Sequence, residues 1–152
     1  MKNFNEHALE MSIMELFKDE EYIHLSGENI HRERSDVLLT EDLKQYLYDS
    51  YAPDGITPNE VDSIIRILRN ISGTLYEANK AVYNLLCKGM TLNREDSTQK
   101  DIHIRFINFE KPKKNTFKIV NQFEIQGLNN QLRIPDGIVF VNGIPVVVLE
   151  FK

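Results

Sequence analysis

The chain predicts an α+β fold, with helices first and a four-stranded, mainly antiparallel sheet after them. Apolar residues recur at helical spacing through residues 1–98, which are mainly helical. From about residue 100 the period changes to two, so that residues 99–152 are mainly strand. The connections in that second part, Lys111-Pro-Lys-Lys-Asn115 and Asn142-Gly143, are of the hairpin kind. At 152 residues, 41 % hydrophobic and 27 % charged, the chain has the size of one domain with a real core.

Each element has a local reason. Phe4, Ala8, Met11, Met14 and Leu16-Phe17 make an apolar face on a first helix over about 4–18. Residues 19–35 are polar and irregular, with Tyr22-Ile-His-Leu25 as a short strand. Thr40 caps a helix carrying Leu43, Tyr46 and Leu47, which stops before Pro53. Thr57-Pro-Asn-Glu60 combines a threonine cap, a proline whose missing N–H costs nothing, and a glutamate that closes a capping box. Val61, Ile64, Ile65 and Leu68 follow as a stripe. Leu75, Ala78, Val82, Leu85 and Leu86 make another, ending at the C-cap Gly89 and placing Cys87 in an apolar run as a buried thiol. The expected strands are Ile102–Phe106, Phe117–Ile125, Gly137–Val141 and Pro145–Phe151. The first two are joined by the lysine-rich loop, and Val146–Leu149 is a buried run.

Composition narrows the function classes. One cysteine excludes an internal disulfide and suits a reducing, cytoplasmic compartment. No segment reaches the roughly 20 apolar residues of a membrane span, and the start lacks the apolar run of a signal peptide. The net charge of −5 disfavours strong non-specific binding to nucleic acid. It is uneven, however: residues 99–152 hold eight Lys or Arg against five acids. Lys113, Lys114 and Arg133 are the candidate phosphate contacts. His7, His24, His31 and His103 lack zinc-ligand spacing, and Tyr46, Tyr48 and Tyr51 suit helix packing.

The last eighteen residues place three charges in an apolar setting: Asp136 after Pro135, then Glu150 and Lys152 at the end of a valine run. Charge at the edge of a core is costly unless it is paired or holds a metal. Asp136, Glu150 and the Phe151 carbonyl offer the oxygen donors that magnesium prefers. Lys152, two residues past Glu150, leaves the same face of the strand. A simple two-residue loop at 142–143 would set Asp136 opposite Leu149, facing away from Glu150. A working pair therefore requires an odd-length loop, such as 142–144, or a bulge.

Asn121-Gln-Phe-Glu-Ile-Gln-Gly127, followed by Arg133-Ile-Pro-Asp-Gly-Ile-Val-Phe-Val-Asn-Gly-Ile-Pro-Val-Val-Val-Leu-Glu-Phe-Lys152, resembles the N-terminal nuclease domain of type I restriction endonuclease R subunits, of the PD-(D/E)xK nuclease superfamily. The resemblance is strong over 117–152 and loose over 1–116. It implies a restriction-endonuclease-like core, truncated after the Glu-x-Lys strand, so that 1–152 would be a fragment of a nuclease domain. It also implies Mg²⁺-dependent cleavage of double-stranded DNA, with Mn²⁺ able to substitute. Asp136 and Glu150 would be metal ligands and Lys152 the catalytic lysine. Glu6 is the best match to a helical glutamate near the metal, with Glu10 second. Modification and specificity subunits would be partners, and ATP would act only through a translocase region absent here. No G-x-x-x-x-G-K-[ST] loop occurs in the chain. Alternatives are a stand-alone nuclease of the same superfamily or a non-catalytic assembly module.

Overall fold

A computed structural model describes residues 5–127 and 129–151. The chain forms two compact units: one contains the segment up to Leu39 and the segment from Thr116 onward, the other Thr40–Asn115. Together they are α+β, with four α-helices among the described residues and a four-stranded, mainly antiparallel sheet. The elements are α1 (Glu6–Asp19), β1 (Ile23–Ser26), α2 (Thr40–Tyr51), α3 (Pro58–Arg69), α4 (Leu75–Lys88), β2 (Met90–Leu92), β3 (Ile102–Ile104), β4 (Phe117–Asn121), β5 (Ile125–Gln126), β6 (Leu132–Arg133), β7 (Gly137–Val141) and β8 (Ile144–Leu149).

The first unit holds the sheet, in the order β1-β4-β7-β8. β1 runs parallel to β4, while the β4–β7 and β7–β8 pairs are antiparallel. The period of two divides the apolar side chains between the faces. Ile119 and Val139 pack with Met14 of α1 on one face. Val120, Ile138 and Phe140 pack with Leu39 and Phe123 on the other. Gly137 makes room for the helix, since a Cβ there would stand 3.1 Å from the Met14 Cε. A separate β5–β6 hairpin lies between β4 and β7 in the chain.

The membership of the sheet differs from the expectation in one strand. Ile102–Phe106 does not join it; β3 pairs antiparallel with β2 as a separate two-stranded ribbon of the second unit, where Ile102, Ile104 and Phe106 are buried. The fourth place is taken by β1, from the short Tyr22–Leu25 run. Hydrophobic alternation marks a strand without naming its partner, and both runs alternate well enough. The lysine-rich loop is consequently not a hairpin between paired strands. It is a single 3-10 turn closed by Asn115, whose Oδ1 accepts from the Asn108 N–H and whose Nδ2 donates to the Asn108 and Pro112 carbonyls. The long strand expected over Phe117–Ile125 breaks at Gln122, which adopts φ +52°. Of the helices, α1 alone belongs to the unit with the sheet.

The second unit contains α2, α3, α4 and the β2–β3 ribbon. The predicted capping box of Thr57 with Glu60 is present, and α4 opens with a second one, Thr74 with Glu77, that the sequence reading did not name. Tyr46 and Tyr51 direct their hydroxyls to the backbone of Arg105, within hydrogen-bond distance of its carbonyl at 3.1 and 3.3 Å. In the stripe of α4 Leu75 is exposed, while Ala78, Val82, Leu85 and Leu86 are half-buried, and no residue of the helix is fully covered. Cys87 is likewise exposed.

Val146–Leu149 was expected to be buried on both faces. Instead Val146, Val147 and Val148 are exposed, because β8 is an edge strand. Its apolar run resembles that of a central strand, which periodicity cannot distinguish from an edge.

Candidate active site

The Asn142-Gly143 turn and a bulge beside it place the carboxylates. Both turn residues take positive φ, +50° and +81°, as the two-residue turns that match strand twist require. Val141 therefore pairs with Ile144. A regular ladder from there would put Asp136 across from Leu149. A register shift after Val139 prevents this: Phe140 pairs with Pro145 but Val139 pairs with Val147, leaving Val146 as the extra residue. Gly137 then pairs with Leu149. One step further along this register, Asp136 stands across from Glu150. The turn has two residues rather than three, and the bulge supplies the shift that the pair needs. Beyond the ladder, the Phe151 N–H donates to Asp136 Oδ2 at 2.5 Å, which ties the aspartate to the chain immediately after Glu150.

Asp136 is half-buried and Glu150 exposed, so the pair sits where core meets solvent. Lys152 lies outside the described residues. Glu6 is the exposed first residue of α1 and has no place in this arrangement. One turn along, Glu10 is 7 % exposed. Its Oε1 accepts from Asn121 Nδ2 at 2.9 Å and from Gln122 Nε2 at 3.4 Å, and its Oε2 lies 3.7 Å from His7 Nδ1. Asn121 ends β4; continuing the β4–β7 register by one step sets it across from Gly137, next to Asp136. Glu10 rather than Glu6 is therefore the helical acid at this end of the sheet. Position along the axis decides it: Glu6, Glu10 and Met14 share one face at four-residue spacing, but Glu10 and Met14 are buried, whereas Glu6 is exposed where α1 begins. Sequence reasoning missed His24, whose Nε2 is 3.0 Å from Asn121 Oδ1. Asn121 and Gln122 stood in the segment that carried the resemblance, but nothing in their spacing linked them to the first helix.

Lys113 and Lys114 are exposed in the 3-10 turn of the second unit, and Arg133 is exposed on β6 of the first. Among the described residues, no three His, Cys, Asp or Glu side chains stand together closely enough to hold a metal ion. Two carboxylates at adjacent register, with a backbone carbonyl beside them, nonetheless suit magnesium, which takes one or two carboxylates and keeps several waters. The all-oxygen donor set does not suit a structural zinc site.

No helix among the described residues is long and apolar enough to cross a membrane. A 76-residue stretch is 40 % identical to the "Putative type I restriction enzyme MjaIXP endonuclease subunit" of Methanocaldococcus jannaschii, covering 48 % of this chain and 7 % of that protein. Over 94 residues the chain is 38 % identical to the type I restriction enzyme HindI endonuclease subunit of Haemophilus influenzae, covering 60 % of this chain and 9 % of that protein. A 67-residue stretch is 35 % identical to the type II inositol polyphosphate 5-phosphatase 14 of Arabidopsis thaliana, covering 44 % of this chain and 6 % of that protein. The chain thus spans under a tenth of the length of these curated relatives. No solved structure matches it significantly. The description "Type I restriction enzyme R protein N terminus" matches over residues 3–152, practically the whole chain, and the chain belongs to that family.

Proposed function

We propose that this chain is the DNA-cleaving part of a type I restriction endonuclease subunit, with a PD-(D/E)xK centre built on Asp136, Glu150 and Lys152. The observation that carries the reading is the bulge. It shifts the β7–β8 register so that Gly137 pairs with Leu149, and one step further Asp136 falls across from Glu150.

Asp136 and Glu150 would hold Mg²⁺, or Mn²⁺ in its place, with the Phe151 carbonyl as a third oxygen. When bound, such an ion lowers the pKa of a coordinated water and stabilises charge on the leaving oxygen of a phosphodiester. The chain's own contribution is placement. The bulge would bring the two carboxylates to facing positions, and the Phe151 N–H holds one oxygen of Asp136. Lys152, two residues past Glu150 in the sequence, would steady the attacking water and the transition-state charge. Glu10 would be the helical acid of the site. Double-stranded DNA is the substrate in this reading, with Lys113, Lys114 and Arg133 as phosphate contacts. Modification and specificity subunits and an ATP-driven translocase region would complete the enzyme, in the cytoplasm.

Asp136→Ala, Glu150→Ala and Lys152→Ala should each abolish DNA cleavage by the complete complex and leave its ATP hydrolysis intact. Plasmid linearisation and phosphate release, measured on the same preparations, check this. Cleavage that survives all three substitutions would falsify the assignment.

A further inference from the structure

We infer that Asn121 and Gln122 are positioning residues: a two-amide cradle that fixes the Glu10 carboxylate at the Asp136 end of the sheet. The inference rests on the metal-site reading above.

Burying a carboxylate is costly, and proteins usually meet the cost with a cationic partner or a metal. Glu10 is 7 % exposed and has neither Lys nor Arg beside it among the described residues. Its near neighbours are two side-chain amides and His7, which is 3.7 Å away and largely in solvent. Amides orient a carboxylate without neutralising it. A carboxyl oriented by amides alone is a group that a bound cation would complete.

The cradle is itself built. His24 Nε2 lies 3.0 Å from Asn121 Oδ1, so the Asn121 oxygen is the group that accepts there and its nitrogen is the group that faces Glu10. A ring N–H of His24, on β1, donates to Asn121. Asn121 in turn donates to Glu10, on α1, giving a directional chain across three elements. Gln122 reaches the same oxygen from a left-handed backbone, φ +52°. Residues other than Gly adopt that region at a cost, and such strain clusters at functional sites.

The turn that bears the strain is pinned on both sides. Gly27 backs against it so closely that a Cβ would stand 2.4 Å from the Gln122 carbonyl oxygen and 2.6 Å from the Phe123 Cα. On the other side Phe123 is fully buried against Phe140, and the Arg32 guanidinium covers its ring at 3.4 Å from the centroid. Arg32 also donates to the carbonyls of Glu33, Asp36 and Glu124. A solvated loop glutamine would need none of this.

The test is Mn²⁺ binding by titration calorimetry, paired with thermal melting, on the wild-type chain and three variants. Asp136→Ala should lose Mn²⁺ binding. Asn121→Ala should weaken it by about 10–100-fold, the range for a residue that orients a metal-site group. Gln122→Gly decides between positioning and structure. Glycine removes the left-handed strain, so stability should hold or rise, while Mn²⁺ affinity should fall by about 10-fold. If Asp136→Ala loses binding and both amide variants keep wild-type affinity, the cradle is overturned and the metal-site reading stands. If Asp136→Ala binds as well as wild type, the metal-site reading itself is overturned, and the cradle with it.

Discussion

Glu60 and Arg94 face each other inside the second unit at 2.8 Å, with side chains 2 % and 4 % exposed. Every arm of the pair is used. Arg94 also donates to the carbonyls of Asp54 and Gly55, while Glu60 accepts from the backbone N–H groups of Thr57 and Glu95. Burial pushes the Glu60 carboxyl up. The hydrogen bonds from Arg94, Thr57 and Glu95, together with the Arg94 charge, outweigh burial and hold it below the ordinary 4.5. A carboxyl lowered by folding contributes stability above its unfolded value and loses it as pH falls through the lowered one. The second unit should therefore weaken in acid below about pH 4.5, and Glu60→Gln should flatten that limb of a stability-against-pH curve. Arg94→Ala leaves a buried carboxylate without its cation and should cost about 3–5 kcal/mol in urea unfolding at neutral pH. A loss under about 1 kcal/mol would mean that solvent reaches the pair.

At the scale of elements, α3 and α4 begin alike and end up in different surroundings. Both open with a complete capping box, but α3 buries Glu60, Val61, Ile64 and Ile65, while α4 buries nothing fully. The cap of α3 is one contribution among many; the cap of α4 is a large part of what holds it. Thr57→Ala and Thr74→Ala should each remove about 1 kcal/mol. The first loss should appear in global unfolding. The second should appear as faster amide exchange confined to α4, with the melting temperature nearly unchanged. Amide exchange that rises equally across the unit in both variants would contradict this contrast.

These elements also show what could be read from the residues and what could not. The Thr57 capping box, the Gly89 stop, the Asn142-Gly143 turn and the need for an odd loop or a bulge before Glu150 were legible, because each is a local demand on φ or register. The burial of Cys87 and of Val146–Val148 was misread, because burial depends on neighbours that the local pattern does not contain. Glu10 was ranked behind Glu6 for the same reason: which acid faces the sheet is set by Met14 docking over Gly137, a contact between distant parts of the chain.

At the scale of the molecule, one turn receives both ends of the inserted unit. The Leu39 N–H donates to the Gly143 carbonyl, and the Thr116 N–H donates to the Asn142 side chain. The Asn142 N–H returns a bond to the Thr116 carbonyl. Asn142 is fully buried at this junction. Leu39 and Thr116, the first unit's own residues on either side of the insertion, are thus held at one turn, and the first unit should survive without the second. A variant chain joining Leu39 to Thr116 through a short glycine-serine linker should keep the strand signal in circular dichroism. In the metal-site reading it should also keep Mn²⁺ binding. Loss of both would show that the sheet needs the second unit to fold.

That shared anchorage has a kinetic side. β1 pairs in parallel with β4 across the whole of Thr40–Asn115, so the first unit must close a long loop before its sheet can assemble. Closure entropy grows with the length of flexible chain between the ends. The second unit is continuous in sequence and can fold on local contacts. Once folded, it replaces that flexible loop with a fixed structure between the two ends. The expected order is therefore that the helical insertion folds first and the sheet that carries Asp136 and Glu150 follows, which pulsed amide exchange during refolding would check. Residues such as Arg94, remote from the carboxylates in sequence, would then govern how quickly a newly made chain acquires its site.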